Sequence, residues 1–306
     1  MLSTTPPASA CVGCRSRRRL SARLQWTPEL MNGFSITPLS SALGAEIRGI
    51  DFSRPLVSET IAGIRQALLD HLVLVFRCGE ISEDTQIDFA QHFGPTVGAR
   101  GKQRTDGGDR RLMVISNVRE NGKPIGALPD GELMFHSDSL FLDKPLMGAM
   151  LYAEEIPSTG GNTMFASMYA AYESLSADLK SRIDTLQAVN AFDYETQVKT
   201  GRYDRETVPH AVHPVVRTHP ETGRKALYVN RLMTEEIVGL PADESDEMLQ
   251  TLFAHAENRD HVYEHTWRLG DLVMWDNRCT QHARRNFPAG ERRLLRRVGI
   301  EGDVPV

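Results

Sequence analysis

Cysteine is scarce in this chain, with four among 306 residues. A fold stapled by disulfides would need more of them spread along its length, so a secreted cystine scaffold is excluded and a reducing compartment fits. Cys11 and Cys14 form a C-x-x-C near the start, but no second pair and no βαβ pattern lies nearby to complete a zinc or redox site. Long apolar runs are also missing. The longest, such as residues 72–76, are strand-sized and far short of the roughly 18–20 residues that span a bilayer. A surplus of positive charge is absent too: the net charge is −5, from 35 basic and 40 acidic residues. Residues 1–30 carry five arginines against Glu29, so the remainder is more acidic still, at −9. A general nucleic-acid surface needs the opposite sign. No repeat and no low-complexity block interrupts the rest.

What is present is an ordinary globular mixture, 41% apolar and 25% charged, in a chain long enough to bury both a core and a pocket. Residues 1–30 are rich in Ser, Pro and Arg and show no apolar periodicity, so they read as a disordered leader, either transit-like or an upstream mis-assigned start before Met31. Residues 31–306 read as one domain. Ile61, Ile64, Leu68, Leu69 and Leu72 recur at helical spacing after Ser58, predicting a serine-capped helix that leads into an apolar strand at 73–76. A second helix is expected over 83–92, stopped by Gly94-Pro95. Residues 99–131 hold many Gly, Lys, Arg and Asp around a strand at 112–116 and read as long loops of the lid-forming kind.

Further strands are expected at 146–153, 163–166, 212–218, 225–229, 265–268, 272–275 and 294–300. Helices should follow residue 166, running on to 186, and span 245–256. The turn His219-Pro220-Glu221-Thr222-Gly223 predicts a hairpin. Many short strands with four helices predict a mainly β fold with helical insertions, a sandwich or barrel rather than a doubly wound sheet.

His136-Ser137-Asp138 is the first triplet with chemical meaning. In an extended segment residues i and i+2 point to one side, so this imidazole and carboxylate can converge on a single ion. The triplet alone is a weak signal, since the chain has 10 histidines and a surface His beside an Asp is commonplace. His282 is the candidate third ligand, placed where an apolar strand runs into the polar turn Asp276-Asn277-Arg278. Two histidines and one carboxylate form the facial triad that leaves positions open on Fe(II) for an organic ligand and O₂. His71, His92, His213, His219 and His255 have ordinary explanations at helix ends, in a hairpin or within a helix.

Arg292, Arg293, Arg296 and Arg297 bracket two leucines in an expected strand. Period two puts Arg293 and Arg297 on one face, about 13 Å apart from four residues at roughly 3.3 Å each, with Arg292 and Arg296 on the other. Either the first pair holds two anions around one metal, or the segment is a solvated basic edge. On these residues three functions stay open: an iron enzyme, a zinc-dependent hydrolase or isomerase, and a non-catalytic small-anion binding module.

The sequence resembles the Fe(II)- and 2-oxoglutarate-dependent dioxygenases of the taurine dioxygenase and 2,4-dichlorophenoxyacetate dioxygenase type. The matching residues are Phe135-His136-Ser137-Asp138, Ile156-Pro157-Ser158-Thr159-Gly160-Gly161-Asn162-Thr163, and His213-Pro214-Val215-Val216-Arg217-Thr218-His219-Pro220. Trp275-Asp276-Asn277-Arg278 completes the set, with His282 and Arg293 at the family's spacing. The likeness extends over residues 34–303. It implies a double-stranded β-helix, a cupin-like jelly roll, with Fe(2+) held by His136, Asp138 and His282. It further implies 2-oxoglutarate held at Thr163 and Arg293, and Arg297 gripping the anionic group of a small organic substrate.

By the same resemblance O₂ is consumed, 2-oxoglutarate becomes succinate and CO₂, and an aliphatic C–H is hydroxylated. Arg suits a carboxylate because its planar fork makes two parallel charge-assisted bonds, and Gly160 and Gly161 leave the approach to Thr163 unobstructed. Asn117, Phe192 and Tyr228 are candidate substrate contacts, with core packing the alternative for the two aromatics. Asn277 is a candidate support for the ligands, and Lys102, Arg104 and Arg119 are candidates for extra loop charge. A cytoplasmic homo-oligomer that engages neither nucleic acid nor membrane is expected.

The chain departs from the taurine enzymes. Pro95-Thr96-Val97-Gly98-Ala99 stands where they place a His and a Tyr against the sulfonate, and Glu132 replaces a substrate-contacting Asn. The His-Ser-Asp triplet and Ile115-Ser116-Asn117 resemble the aryloxyalkanoate branch more closely, which favours a bulkier carboxylate. A taurine or alkylsulfonate dioxygenase releasing sulfite is the alternative.

Overall fold

The computed structural model describes residues 1, 29–31, 33–98, 109–126, 131–192 and 206–306. Cys11, Cys14, Lys102 and Arg104, with most of the leader and part of the expected lid region, lie outside them. No helix among the described residues is long and apolar enough to cross a membrane.

Alternation along the central strands explains the layering. In Val73–Arg77, Gly148–Glu155 and Asp271–Asp276 nearly every residue is buried, because both faces of their sheet are covered. Val73, Val75, Leu151, Val273 and Trp275 pack into one core, while Leu74, Phe76, Met150, Leu272 and Met274 pack into another. The second core is closed by the helices Ser58–His71 and Glu83–Gln91, through Ile64, Leu68 and Ile87.

The first core is closed by a smaller sheet, ordered Val262–His265, Thr163–Ser167, Thr280–Arg284, Leu133–His136. Its Phe165, Ala166 and Ala283 meet Val273 and Trp275. The large sheet is ordered Glu29–Met31, Phe34–Pro38, Ala45–Arg48, Val73–Arg77, Asp271–Asp276, Gly148–Glu155, Leu294–Ile300, Thr96–Val97, and Leu112–Ser116 also pairs with Leu294–Ile300. Two sheets face to face with helices outside match the expected mainly β, jelly-roll-like architecture.

Several local expectations are corrected. Val57 precedes the first helix with no side-chain cap, so Ser58 is its first residue and not its cap. Ser82 does cap the second helix, its hydroxyl accepting from Thr85 N at 3.0 Å. The helix expected to reach 186 breaks into Met168–Glu173 and Ala177–Ile183, because the Ser176 hydroxyl caps a new start by accepting from Leu179 N. The expected strand at 212–218 is two strands, His210–Pro214 and Val216–Thr218, paired with different partners. The strand placed at 265–268 is Val262–His265. The hairpin is present, Val216–Thr218 pairing with Lys225–Leu227. The strand Glu29–Met31 pairs with Phe34–Pro38, ahead of the boundary read at Met31.

An ion-pair chain, buried at Asp276 and Arg278 and reaching the surface at Arg65, locks the end of the central strand Asp271–Asp276. The Asp276 carboxylate accepts from Arg278 Nε at 2.9 Å and Nη2 at 2.6 Å, and from His219 Nε2 at 3.0 Å. Arg278 continues to Glu221 at 2.8 Å, and Glu221 to Arg65 on the first helix at 2.9 Å. Burial alone would push the Asp276 carboxyl up, but its bonds to Arg278 and His219 hold it well below the usual range.

Breaking such a pair leaves a buried charge without its partner, so Asp276→Asn should cost about 3–5 kcal/mol at neutral pH. Because the folded carboxyl titrates below its unfolded value of about 3.9, its contribution is present above about pH 4 and lost as pH falls further. The stability gap between the native chain and this variant should therefore narrow below pH 4 in denaturant titrations. A gap that stays constant from pH 7 to pH 3 would contradict the assignment.

Candidate metal centre

His136 ends the strand Leu133–His136, and His282 lies in the middle of Thr280–Arg284. Antiparallel pairing sets the two directly opposite each other, with ring centroids 4.1 Å apart. Asp138 is delivered differently from the sequence expectation. It lies beyond the strand end, in a turn where Ser139 adopts φ +61°, so strand alternation does not place it. The Asn277 side chain does: Oδ1 accepts from Asp138 N at 2.7 Å, and Nδ2 donates to Asp138 O at 3.0 Å. One ligand atom each from His136, Asp138 and His282 then lie within 4.8 Å of one another.

Burial, followed by the neighbouring His136, presses the His282 imidazole down to about 3, and burial likewise lowers His136. For Asp138, burial acts upward, but Arg297 above all, with both histidines, outweighs it and holds the carboxyl at about 2. Two neutral imidazoles and one carboxylate at neutral pH are the protonation states a divalent cation requires. His136 Nδ1 donates to Met134 O at 2.8 Å, which leaves Nε2 with its lone pair for a metal. His282 Nδ1 is buried with no hydrogen bond among the described residues, and the partner of Asp138 Oδ2 is the Arg297 guanidinium, 2.7 Å away. A thiolate-free set of two imidazoles and one carboxylate, under-satisfied as folded, fits Fe(II) better than a structural zinc site.

The arginines divide as strand alternation predicts. Leu294–Ile300 is paired on both sides, so it is no edge strand. Arg297 faces the cluster, its Nη2 2.7 Å from Asp138 Oδ2. Arg296 faces the opposite way, donating to Ile81 O at 2.7 Å and covering the Tyr152 ring. Arg293, at the mouth of the strand, is 2% exposed, and burial together with nearby Arg284 acts against its charge. A buried guanidinium in that position calls for an anion.

Arg293 Nη2 donates to Gly161 O at 3.3 Å. The backbone there is crowded: a Cβ on Gly160 would sit 2.4 Å from Asn286 O, and one on Gly161 3.2 Å from Arg293 Nε. Both glycines also have positive φ, +73° and +64°, so no other residue fits easily. Thr163 Oγ1 accepts from Trp267 Nε1 at 3.0 Å, which leaves the hydroxyl hydrogen free to donate.

The expected substrate contacts are placed less favourably. The Asn117 amide clasps the segment before the strand, accepting from Arg293 N at 2.9 Å and donating to Glu291 O at 2.8 Å. Asn117 therefore braces Arg293. Tyr228 is buried, and its hydroxyl accepts from Arg217 Nη1 at 2.8 Å, so it serves the packing of a small apolar cluster. Phe192 is half-buried in that cluster, 5.7 Å from Phe141, beside Leu133 and Met134 of the strand that carries His136. Arg119 is exposed and donates to Gly122 O, an ordinary loop contact. Sequence reasoning missed Trp267 and Arg284; the latter stands opposite Thr163 across the pairing. No local spacing marks either one: Arg284 meets Thr163 through strand pairing, and Trp267 reaches it by a side-chain hydrogen bond from just beyond the strand Val262–His265.

Comparison with known proteins decides the family. Residues 35–298 match the model of the taurine catabolism dioxygenase TauD, TfdA family. The chain belongs to this family of dioxygenases. The dioxygenase is 34% identical over 288 residues to the (S)-phenoxypropionate/alpha-ketoglutarate-dioxygenase of Sphingobium herbicidovorans, covering 88% of this chain and 96% of that one. It is 37% identical over 286 residues to pentalenolactone F synthase of Streptomyces avermitilis, covering 87% and 93%. The crystal structure of AAD-2 in complex with Mn(II) and N-oxalylglycine superposes with a TM-score of 0.75 at 31% identity, over 89% of this chain and 98% of that one.

Removing the cationic partner of a buried carboxylate costs about 2–5 kcal/mol. With Arg293 expected from the family resemblance to meet the far carboxylate of the keto acid, Arg293→Met should weaken binding of the analogue N-oxalylglycine to the Mn(II)-loaded dioxygenase by roughly thirty-fold or more in calorimetry, with Mn(II) affinity itself unchanged. Equal binding by the variant would remove Arg293 from the co-substrate site.

Proposed function

We propose that this dioxygenase uses Fe(II), 2-oxoglutarate and O₂ to hydroxylate a small organic anion, with a carboxylate of aryloxyalkanoate type as the first candidate. The observation that supports it best is one geometry: His136, His282 and ionised Asp138 converge, with the Arg297 guanidinium 2.7 Å from the Asp138 carboxylate. His136, Asp138 and His282 would hold the metal, and Thr163 with Arg293 the far carboxylate of 2-oxoglutarate. Bound there, Fe(II) with the keto acid and O₂ supplies the oxidising power, the keto acid leaving as succinate and CO₂.

The protein's own part is position, charge and dryness. Arg297 rests against a metal ligand, so an anion that it grips is held close to the centre, and the C–H presented there is one near the anionic group. For an aryloxyalkanoate that carbon also bears the ether oxygen, and its hydroxylation gives a hemiketal-type product that releases a phenol. The rings of Trp275 and Phe165 lie 4.8 and 6.1 Å from the His282 ring and wall the site on one side. Phe192, with Leu133 and Met134, offers an apolar surface beside His136 that suits an aryl group better than an aminoalkyl chain. The phenoxypropionate relative supports the same choice, whereas an alkylsulfonate would leave that surface uncovered. The reading extends to one catalytic domain, carried ahead of the boundary at Met31 to Glu29 by the first strand, and to a cytoplasmic homo-oligomer, for which family likeness is the support and sedimentation the check.

Anaerobic addition of Fe(II) and 2-oxoglutarate should give a weak visible charge-transfer band that His136→Ala abolishes. In air, a panel of aryloxyalkanoates, alkylsulfonates and sulfate esters should show succinate formed in step with phenol for the first class. Neither a band nor succinate with any member would defeat the proposal, and sulfite from a sulfonate would replace the substrate class. Arg297→Ala should raise KM for the anionic substrate at least ten-fold, as about 1.4 kcal/mol or more of a charge-assisted contact is lost.

A further inference from the structure

Asp138 is the one ligand of the cluster with no strand beneath it. His136 and His282 are set by a backbone ladder, whereas Asp138 follows the strand end in an irregular segment. Its peptide is gripped on both sides by a single side chain, Asn277, whose amide reads the Asp138 N–H at 2.7 Å and the Asp138 C=O at 3.0 Å. The other amide hydrogen goes to Leu146 O at 2.9 Å, and the Asn277 backbone N–H donates to Met147 O at 2.9 Å. Both ends of the stretch 138–147 are thereby tied to one turn.

That turn is rigid in its own right. Thr280 Oγ1 donates to Asp276 O at 2.7 Å, and Arg278 N donates to the Asp276 carboxylate at 3.0 Å. Asn277 is fully buried, so water cannot substitute for its amide without the turn opening. Only an amide donates and accepts in this arrangement; a carboxylate would face two carbonyl oxygens, and a methyl would leave three backbone groups unsatisfied.

We propose that Asn277 is a positioning residue for the metal centre: it sets the Asp138 carboxylate against the two imidazoles and so governs the affinity for the metal. A ligand moved by 1 Å no longer closes a coordination sphere with metal–oxygen distances near 2 Å. The two imidazoles do not depend on Asn277, so its loss subtracts the carboxylate and keeps the histidines. The inference rests on reading the cluster as a metal centre and on no particular substrate.

Co(II) titration of the purified full-length chain tests it. Asn277→Ala should weaken Co(II) binding by about 10–100-fold and shift the visible d–d bands, signatures that a general loss of stability would not produce in a protein folded by circular dichroism. In an Asp138→Ala background the same substitution should change the affinity by less than about two-fold, since its route is through Asp138. Native affinity and native bands in folded Asn277→Ala would overturn the proposal. Failure of the native chain to bind Co(II) would instead overturn the reading of the metal centre on which it stands. Hydrogen exchange of the unmodified, metal-free chain adds a measurement independent of any variant: the Asp138 amide should be protected by Asn277 Oδ1, and rapid exchange there would also overturn the proposal.

Discussion

The Asp138 carboxylate is taken out of water between two imidazoles, and the surrounding structure is arranged around that cost. Removing a carboxylate from solvent carries a penalty of several kcal/mol that a protein recovers only with well-placed partners. Here the partners are Arg297, which lies against one carboxylate oxygen, and the Asn277 amide, which fixes the backbone behind it. The imidazoles are held neutral by the same burial. The result is a compact set of donors already in the protonation states that a cation needs, and a cation is the group that would relieve what remains unsatisfied.

From that centre the larger architecture becomes intelligible. The small sheet exists in register to set His136 opposite His282 and Thr163 opposite Arg284. The large sheet supplies the wall behind them through Trp275 and, at its far strand, the arginines. Because Leu294–Ile300 is an interior strand, its alternation sends Arg296 and Arg297 to opposite faces, and Arg293 stands just before it. Arg297 faces the cluster of His136, Asp138 and His282, Arg296 braces the opposite side against Tyr152 and Ile81, and Arg293 points to the glycine turn before Thr163. Arg297 thus meets the Asp138 carboxylate, whereas Arg293 is buried with Gly161 O as a hydrogen-bond partner. The chain of ion pairs from buried Asp276 to Arg65 at the surface links the end of the central strand to the helix Ser58–His71.

Much of this was legible along the chain. Central strands appeared as unbroken apolar runs because both faces are covered, and the two early helices showed their periodicity. The H-x-D triplet, His282 and Arg293 stood out through residue type and spacing, and family likeness assigned their tasks. Other features were not legible, for physical reasons that can be named. Ser176 starts a second helix where periodicity alone continues the first. Asn117 and Tyr228 have polar groups suited to a ligand, yet in the fold those groups meet backbone and Arg217, contacts between residues far apart in sequence. Arg284 meets Thr163 through pairing in the small sheet, and Trp267 through an indole hydrogen bond from beyond its edge strand.

The linear order of residues determined the donor chemistry: two imidazoles, one carboxylate, a hydroxyl after paired glycines and two arginines four positions apart, together with the strand alternation that aims those arginines. Tertiary structure decided which of these meet and how tightly. Strand alternation ends at His136, so the position of Asp138 is governed by a side chain 139 residues away. A contact of that range depends on how the whole chain closes, and no local pattern encodes it.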